Sequence, residues 1–154
     1  MLRTVTVNGV SIVVDPTGYE GCWSGVEAGR WEPETFGAID RLVLRDFRMV
    51  DIGAWIGPLT LYAARKGARV HSYECNPVAL WVLRTNIAAN PELARAIAIH
   101  EYALGSEDGF ITLYSRALGN SETSILARHE RDDAGNPHPV RRGGRRLSQP
   151  LPRL

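Results

Sequence analysis

The sequence RMVDIGAWIGPLTLYAARKGARVHSYECN, residues 48–76, decides the fold. Its first apolar run, residues 49–52, stops at a glycine, a helical pattern follows, and a second apolar run ends on Glu74. Pro58 suits the first position of the helix, because the amide hydrogen that proline lacks has no intrahelical partner there. Apolar residues then recur at helical spacing, so the pattern predicts a strand, a turn, a helix and a second strand.

This unit is expected to bring two acids to one edge of a sheet. Parallel strands joined by a helix form a right-handed crossover, and ligands bind at the carboxyl ends of such strands. Asp51 and Glu74 each close an apolar run, so we expect both to face one crevice. Gly53 and Gly57 bracket the intervening turn, and glycine permits positive φ or close approach of a ligand.

The glycine spacing separates two kinds of cofactor site. A GxGxxG dinucleotide fingerprint ending at Gly57 would need glycines where the chain has Ile52 and Ala54, so an NAD-dependent oxidoreductase is the weakest alternative. Residues 51–57, DIGAWIG, instead fit the first motif of class I S-adenosylmethionine-dependent methyltransferases. On that pattern Glu74 is the acid that accepts hydrogen bonds from both ribose hydroxyls, which suits a two-oxygen acceptor.

Three motifs in order resemble the FkbM family of methyltransferases: DIGAWIGPLTLYAA, SYECNPVALWVLRTNIAAN and EYALGSEDGFITLY. The resemblance covers residues 31–126, with Trp55 and Cys75 standing where the family usually has a small or polar residue and a proline. It implies a Rossmann-like α/β fold, a parallel sheet flanked by helices. It also implies S-adenosyl-L-methionine as methyl donor and O-methylation of a hydroxylated small molecule or glycan.

The resemblance further implies which residues bind the cofactor. Tyr102 and Ala103 belong to an AL-G phrase at the end of the third strand, where groups border the adenine. The expected cofactor-binding residues are Asp51, Gly53, Ala54, Gly57, Glu74, Tyr102 and Ala103. No residue can be named as the catalytic base, and the acceptor and the oligomeric state stay open.

Composition narrows the class of protein. The 154 residues, 44% of them hydrophobic, are enough for one soluble domain with a real core. A formal charge of +1 gives no general attraction to nucleic acid or to a membrane. The first 15 residues lack the apolar core of a signal peptide, so we expect a cytoplasmic protein. Cys22 and Cys75 are too few for a metal cluster or a disulfide framework, and no metal site is expected.

The chain divides into an N-terminal segment (residues 1–30), a methyltransferase core (residues 31–132) and a basic tail (residues 133–154). In the first segment, Asn8-Gly9 between two β-rich runs predicts a β-hairpin. The glycine-rich residues 15–29 are then predicted to be a loop.

Two further helices and a strand complete the predicted core. Pro33 opens the helix before the first core strand, and Glu32 is expected to be solvated at its end. Asn76 is the predicted N-cap of the second crossover helix, with Trp81 broadening its buried stripe. A third strand over residues 96–102 contains His100, for which we expect a structural role.

The C-terminal part of the sequence predicts less. Residues 110–114 alternate as a further strand, and GNSETS at 119–124 resembles a family segment near the active site. The NPHP sequence at 136–139 is expected to break structure, and the basic tail is predicted to be disordered. Because a complete sheet of this class needs about 200 residues, we expect the fold to be incomplete. A truncated, inactive cofactor-binding remnant therefore stays an alternative to an active enzyme.

Overall fold

The computed structural model describes residues 1–43, 47–104, 130–131 and 137–138. A short 3-10 helix, Pro91–Ala96, precedes the last strand of the main sheet. The helices are α1 Glu20–Glu27, α2 Pro33–Leu42, α3 Pro58–Arg65 and α4 Pro77–Ala88. The strands are β1 Arg3–Val7, β2 Val10–Val14, β3 Arg48–Ile52, β4 Arg69–Tyr73, β5 Ile97–His100, β6 Glu130–Arg131 and β7 Pro137–His138.

The central sheet is parallel, with β4 between β3 and β5. Asp51 pairs with Ser72, and Tyr73 pairs with His100, so the three strands end close together at one edge. Helices α3 and α4 make the two crossovers that the repeated strand-and-helix pattern predicts. The predicted α/β class, a parallel sheet with helices and an N-terminal hairpin, is therefore confirmed.

The sheet has one covered face and one open face in the described part of the chain. Val70 and Ser72 are buried on the face toward α3, as is Asp51. On the opposite face, Val50 and Ile52 are 57% and 67% exposed. The alternation of side chains along each strand therefore places the strand-end acid Asp51 on the covered side.

The N-terminal hairpin packs onto this covered side. Strands β1 and β2 are antiparallel, and Asn8 and Gly9 take φ of 47° and 77°, as the predicted type I′ turn requires. Alternate residues of both strands are buried in the core that α3 and α4 share; they are Val5, Val7, Ile12 and Val14. The hairpin is thus a second layer over the crossover helices.

The prediction of a loop over residues 15–29 is wrong, because Glu20–Glu27 form α1. Trp23 and Val26 lie three residues apart on one helix face and are both fully buried. Glycine in a helix costs about 1 kcal/mol relative to alanine, so Gly21 and Gly25 favoured a loop on local propensity alone. Burial of the indole and the valine outweighs that cost, which only the tertiary partners reveal.

Helices α2 and α4 begin where the sequence predicts, at Pro33 and after Asn76. The expected burial of Trp81 is wrong, since its side chain is 66% exposed. Helix α4 buries Leu80 and Leu83, and position 81 lies about 100° around the helix from position 80, on the solvent side. An apolar residue next to a buried stripe need not belong to it.

Two C-terminal predictions lie outside the described residues: the strand over 110–114 and the GNSETS segment at 119–124. Pro137–His138 pair antiparallel with Glu130–Arg131, so the expectation that NPHP breaks structure is wrong for these two residues. Proline lacks only a backbone donor and is accommodated where a ladder bond is not needed, as at an edge. Within the described ranges, no helix combines the length and the apolarity needed to cross a membrane.

Candidate functional site

The turn between β3 and α3 folds across the end of β4. The amides of Gly53 and Ala54 donate to the carbonyl oxygen of Tyr73 at 2.8 and 3.0 Å. One residue further, the amide of Trp55 donates to Oε2 of Glu74 at 2.8 Å. The glycine turn and the acid at the end of the next strand are therefore joined by direct hydrogen bonds.

The two glycines of the turn serve different purposes. Gly53 has φ of 76°, and a Cβ built on it would meet nothing within 4 Å. Gly57 has φ of 93°, and a Cβ there would lie 2.6 Å from Cδ1 of Leu83 on α4. Gly53 thus leaves open space above the turn, whereas Gly57 allows two helices to pack closely. Both glycines take the positive φ that was one of the two expected uses, and only Gly53 also leaves room for the close approach of a ligand.

Asp51 is buried beneath the turn at the end of a hydroxyl chain. Oγ1 of Thr60 donates to Oδ2 of Asp51 at 2.5 Å and lies 2.8 Å from Oγ of Ser72. The single hydroxyl hydrogen of Thr60 goes to the carboxylate, so Ser72 donates to Thr60. Burial raises the pKa of Asp51, the Thr60 hydrogen bond opposes that rise, and the negative charge of Glu32 adds to it.

Sequence analysis missed Thr60 and Ser72. Both are polar residues at positions that the helical and strand periods direct inward, and both are fully buried. A buried hydroxyl needs a partner, so two such residues near a strand-end acid are the signal that could have identified them.

Glu74 is buried and is held by backbone amides on both oxygens. Oε2 accepts from Trp55 at 2.8 Å, and Oε1 accepts from the amide of Asn76 at 2.7 Å. Burial raises the pKa of Glu74, and these amide hydrogen bonds oppose the rise. Each carboxylate oxygen can accept a second hydrogen bond. The group therefore keeps acceptor capacity for hydroxyls, although only 8% of the residue is exposed.

A cavity of about 230 Å³ lies over the turn. Of the predicted cofactor-binding residues, it brings together Asp51, Gly53 and Ala54. Its lining is Trp31, Glu32, Asp51, Ile52, Gly53, Ala54, Trp55, Pro58 and Leu59. Gly57 and Glu74 do not belong to this lining, and Glu74 meets it through the amide of Trp55.

Aromatic rings form one wall of the cavity. The rings of Trp31 and Trp55 have centroids 6.2 Å apart and planes inclined at 33°. Tyr19 meets Trp55 edge-on at 5.5 Å, and Phe36 meets Trp31 edge-on at 6.1 Å. Trp55 adopts φ of 50°, a left-handed conformation that is unusual for a bulky residue. The packed rings hold the indole in this conformation beside the turn.

Glu32 contributes an acid to the same wall. It is exposed at the start of α2, as expected, and accepts a hydrogen bond from Oγ1 of Thr35 at 3.0 Å. It also lines the cavity together with Asp51, and neither Lys nor Arg occurs among the lining residues. The cavity therefore carries negative charge and aromatic surface.

Tyr102 and Ala103 lie beyond the end of β5 and are half-buried. The hydroxyl of Tyr102 lies 3.2 Å from Nδ1 of His100, and the Tyr102 ring meets that of Tyr73 edge-on at 5.6 Å. Nε2 of His100 lies 3.0 Å from Nδ1 of His71. His100 thus links the strand ends, and burial, with the charge of His71, lowers its pKa.

Two asparagines hold the hairpin, one within α4 and one two residues beyond its end, and the first of them also contacts the turn. Asn86 accepts from the amide of Asp15 at 2.8 Å and donates to the carbonyl oxygen of Ile56 at 2.9 Å. Asn90 accepts from the amide of Val13 at 3.0 Å and donates to its carbonyl oxygen at 2.6 Å. Side-chain amides four residues apart, one on the buried side of an apolar helix and one just past its end, were the available signal.

No protein-family model and no curated protein matches the chain. Among solved structures, it is similar to a transferase from Pyrococcus horikoshii, with 20% identity over 66% of this chain and 36% of that one and a TM-score of 0.47. An FkbM methyltransferase from Methylobacillus flagellatus has 20% identity over 58% of this chain and 28% of that one, with a TM-score of 0.41. A tRNA methyltransferase from M. jannaschii has 21% identity over 65% of this chain and 29% of that one, with a TM-score of 0.40.

The chain therefore spans between 28% and 36% of the length of these solved structures. At such scores the similarity does not decide the function. We rest the proposed function on the geometry of the turn, the two acids and the cavity.

Proposed function

We propose that the chain binds S-adenosylmethionine over the turn between β3 and α3 and acts as an S-adenosylmethionine-dependent methyltransferase domain. The observation that carries the proposal is the 2.8 Å hydrogen bond from the Trp55 amide to Glu74. It joins the glycine turn to the acid of the next strand at the carboxyl edge of a parallel sheet, where such sheets bind ligands.

The residues of the site fit the charges of this cofactor. Its methionine end carries a sulfonium, an ammonium and a carboxylate group and is positive overall, and the cavity presents Glu32 and Asp51 without a basic residue in its lining. A volume of about 230 Å³ is below the 300–1,000 Å³ typical of whole-ligand pockets, so it suits the methionine end alone. We assign the ribose hydroxyls to the remaining acceptor positions of Glu74, and the adenine to the surface near Tyr102 and Ala103.

Gly53, Ala54 and Gly57 complete this assignment. Gly53 leaves space for the ligand, Ala54 borders the cavity, and Gly57 fixes the packing of the turn against α4. When bound, S-adenosylmethionine supplies an electrophilic methyl group for in-line displacement. The contribution of the chain is to hold that group in a fixed position beside an aromatic wall that keeps water away, since positioning supplies much of the rate of such a transfer.

The acceptor is the finer part of the proposal. On the motifs shared with the FkbM family, we propose O-methylation of a hydroxylated small molecule or glycan. The described residues that line the cavity include no histidine or lysine that could serve as a general base. The base and the acceptor surface are therefore to be sought by experiment.

Cofactor binding is the first test. Calorimetric titration of the 154-residue chain with S-adenosylmethionine and with NAD should give binding of the first alone. An Asp51→Ala, Glu74→Ala double variant serves as control and should bind neither. Binding of NAD in preference would restore the oxidoreductase alternative, and failure of both ligands to bind the wild-type chain would refute the proposal.

Methyl transfer is the second test. Purified chain is incubated with cofactor radiolabelled on the methyl group and with a panel of hydroxylated small molecules, glycans and tRNA. Incorporation above that of the double variant identifies the acceptor class. Cofactor binding without incorporation into any acceptor would favour the inactive cofactor-binding remnant.

A further inference from the structure

We infer that Trp31 and Trp55 make the site selective for the charged, methyl-bearing cofactor over its neutral demethylated product. This inference rests on the proposed function and concerns the same cavity. S-adenosylmethionine carries a positive sulfonium, whereas S-adenosylhomocysteine carries an uncharged thioether. A wall that recognises the charge therefore distinguishes the two, although they differ by one methyl group.

The carboxylates of the cavity provide the first element of this selectivity. Glu32 and Asp51 both line it, and the charge of Glu32 raises the pKa of Asp51, so the two groups act on the same space. One acid complements the ammonium group, which substrate and product share. The second acid, together with the carboxylate that both ligands carry, leaves excess negative potential, which only the sulfonium of S-adenosylmethionine can match.

The indole rings provide the second element. A cation within about 6 Å of a ring centroid is attracted by the negative face of an aromatic ring, and tryptophan is the strongest partner. Trp31 and Trp55 both line the cavity and pack on each other, with ring centroids 6.2 Å apart and planes inclined at 33°, so they form one continuous aromatic surface. An uncharged thioether also gains from contact with aromatic rings, but less than a desolvated cation does.

The aromatic surface formed by Trp31 and Trp55 is held in place before any ligand binds. Glu74 fixes the backbone of Trp55, and the edge of Tyr19 packs on its ring at 5.5 Å. Phe36 packs on Trp31 and also meets Tyr62 edge-on at 4.8 Å in the core. Preorganised rings lose little conformational entropy on binding, so the attraction appears in the affinity.

The attraction that gives this selectivity is lost when the methyl group is transferred. Methyl transfer breaks the carbon–sulfur bond, forms a carbon–oxygen bond to the acceptor, leaves the electron pair on sulfur and releases the hydroxyl proton to solvent. The positive charge on sulfur disappears in that step, and its attraction to the rings disappears with it. The product then binds less tightly than the substrate, which favours its release.

The test is calorimetric titration of the full chain with S-adenosylmethionine and, separately, S-adenosylhomocysteine. We expect the wild-type chain to bind the first roughly 2- to 30-fold more tightly, the range for one cation–π contact of about 0.5–2 kcal/mol. Trp55→Phe retains an aromatic face and should keep most of this ratio. Trp55→Asn removes one aromatic face while tolerating the left-handed backbone, so it should lower the ratio clearly below that of the wild-type chain and of Trp55→Phe.

Two further variants complete the design. Trp31→Leu should also lower the ratio, and it leaves the backbone of the turn unchanged. Trp81→Leu is the matched control, because Trp81 is exposed on α4 outside the cavity lining, and it should keep the wild-type ratio. Circular dichroism confirms that each variant is folded.

The outcomes separate the inference from the proposed function. Equal affinity of the wild-type chain for both ligands, or an unchanged ratio in Trp55→Asn and Trp31→Leu, would overturn the inference and leave cofactor binding intact. Failure of the wild-type chain to bind either ligand would overturn both.

Discussion

The two strand-to-helix turns of the parallel sheet differ in how they treat the free backbone amides at the start of the helix. Between β4 and α4, Oδ1 of Asn76 accepts from the amides of Val78 and Ala79 at 3.0 and 3.4 Å, so a side chain satisfies the start of the helix. Between β3 and α3, Gly57 stands at the N-cap, and no side-chain hydrogen bond caps the helix. The first turn of α3 instead adjoins the cavity.

The backbone conformations of the two turns also differ. Positive φ occurs at Gly53, Trp55 and Gly57 in the first turn, whereas Asn76 in the second has an extended φ of −79° and ψ of 117°. Strained backbone persists only where surrounding contacts determine it, and it is concentrated at functional sites. Glycine takes positive φ readily, so Trp55 is the strained position of the first turn, and it lines the cavity proposed as the cofactor site.

Gly57→Ala should have the largest effect and should fall on the fold. Its Cβ would meet Cδ1 of Leu83 at 2.6 Å, and φ of 93° is unfavourable for alanine. We expect the free energy of unfolding to fall by about 2–4 kcal/mol, from overpacking and left-handed strain together. Urea denaturation followed by circular dichroism measures it.

Gly53→Ala is the matched control for that change. It has a similar φ of 76° but open space around the added Cβ, so only the strain of about 1–2 kcal/mol should appear. In a double-mutant cycle, Gly57→Ala should cost less in a Leu83→Ala background than in the wild-type chain, and the difference is the steric part. Equal destabilisation by the two glycine variants would show that the contact with Leu83 is unimportant.

Glu74→Ala removes the carboxylate whose two hydrogen bonds join the two turns. The carboxylate accepts from Trp55 on one side and Asn76 on the other, and its loss should weaken S-adenosylmethionine binding by roughly 1.5–3 kcal/mol. Calorimetry gives the affinity, and a melting curve shows whether the fold persists. Wild-type affinity in this variant would exclude Glu74 as the ribose acid.

Asn76→Ala should lower stability by about 1 kcal/mol, the usual cost of losing an N-cap, and should leave the cofactor affinity unchanged. Asn76→Ser, which keeps a capping oxygen, should lose little. Both quantities come from denaturation and titration of the same preparations. A loss of affinity without a loss of stability would reverse the roles that we assign to the two turns.

The smallest expected effect is on the pH dependence of stability. Burial raises the pKa of Asp51 and Glu74 above their ordinary values of 3.8 and 4.5. Between those values and the raised ones the folded state binds more protons than the unfolded chain, so stability falls as pH rises through this window. An Asp51→Asn, Glu74→Gln variant should lack this contribution.

Thermal melting of both proteins from neutral pH down to 4.5 measures that contribution. The wild-type chain should gain stability relative to the variant as the pH falls. A constant difference between the two melting temperatures would show that the carboxyls titrate at their ordinary values. Comparison with the variant cancels the other titrating groups.

Local signals in the sequence predicted the unit around the first turn. The apolar runs, Pro58 and the asparagine cap at Asn76 act within a few residues, and the structure has each element where they indicate. Helix α1 and the exposure of Trp81 were not predictable in this way. Both depend on which distant surface a face meets, and local propensity is weaker than that burial.

In the candidate site, too, some residues could be predicted from local sequence signals and others could not. The meeting of Asp51, Gly53 and the acid at the end of β4 follows from strand order and could be predicted. Trp31 and Glu32 enter the cavity wall because of how α2 packs, which no local pattern specifies. The assignment of individual residues to cofactor groups stays a prediction for the titrations above.

The contact between Val13 and Asn90 delays the docking of the hairpin while the chain is being synthesised. Val13 bonds to Asn90 across 77 residues of sequence, through backbone groups that the hairpin itself leaves unsatisfied. A ribosome adding 5–20 residues per second needs roughly 4 to 15 s to make that interval. During this delay the N-terminal strands have been synthesised but lack their docking partner. The hairpin can therefore complete this contact only after Asn90 has been made, by which point the glycine turn and Glu74 have already been synthesised.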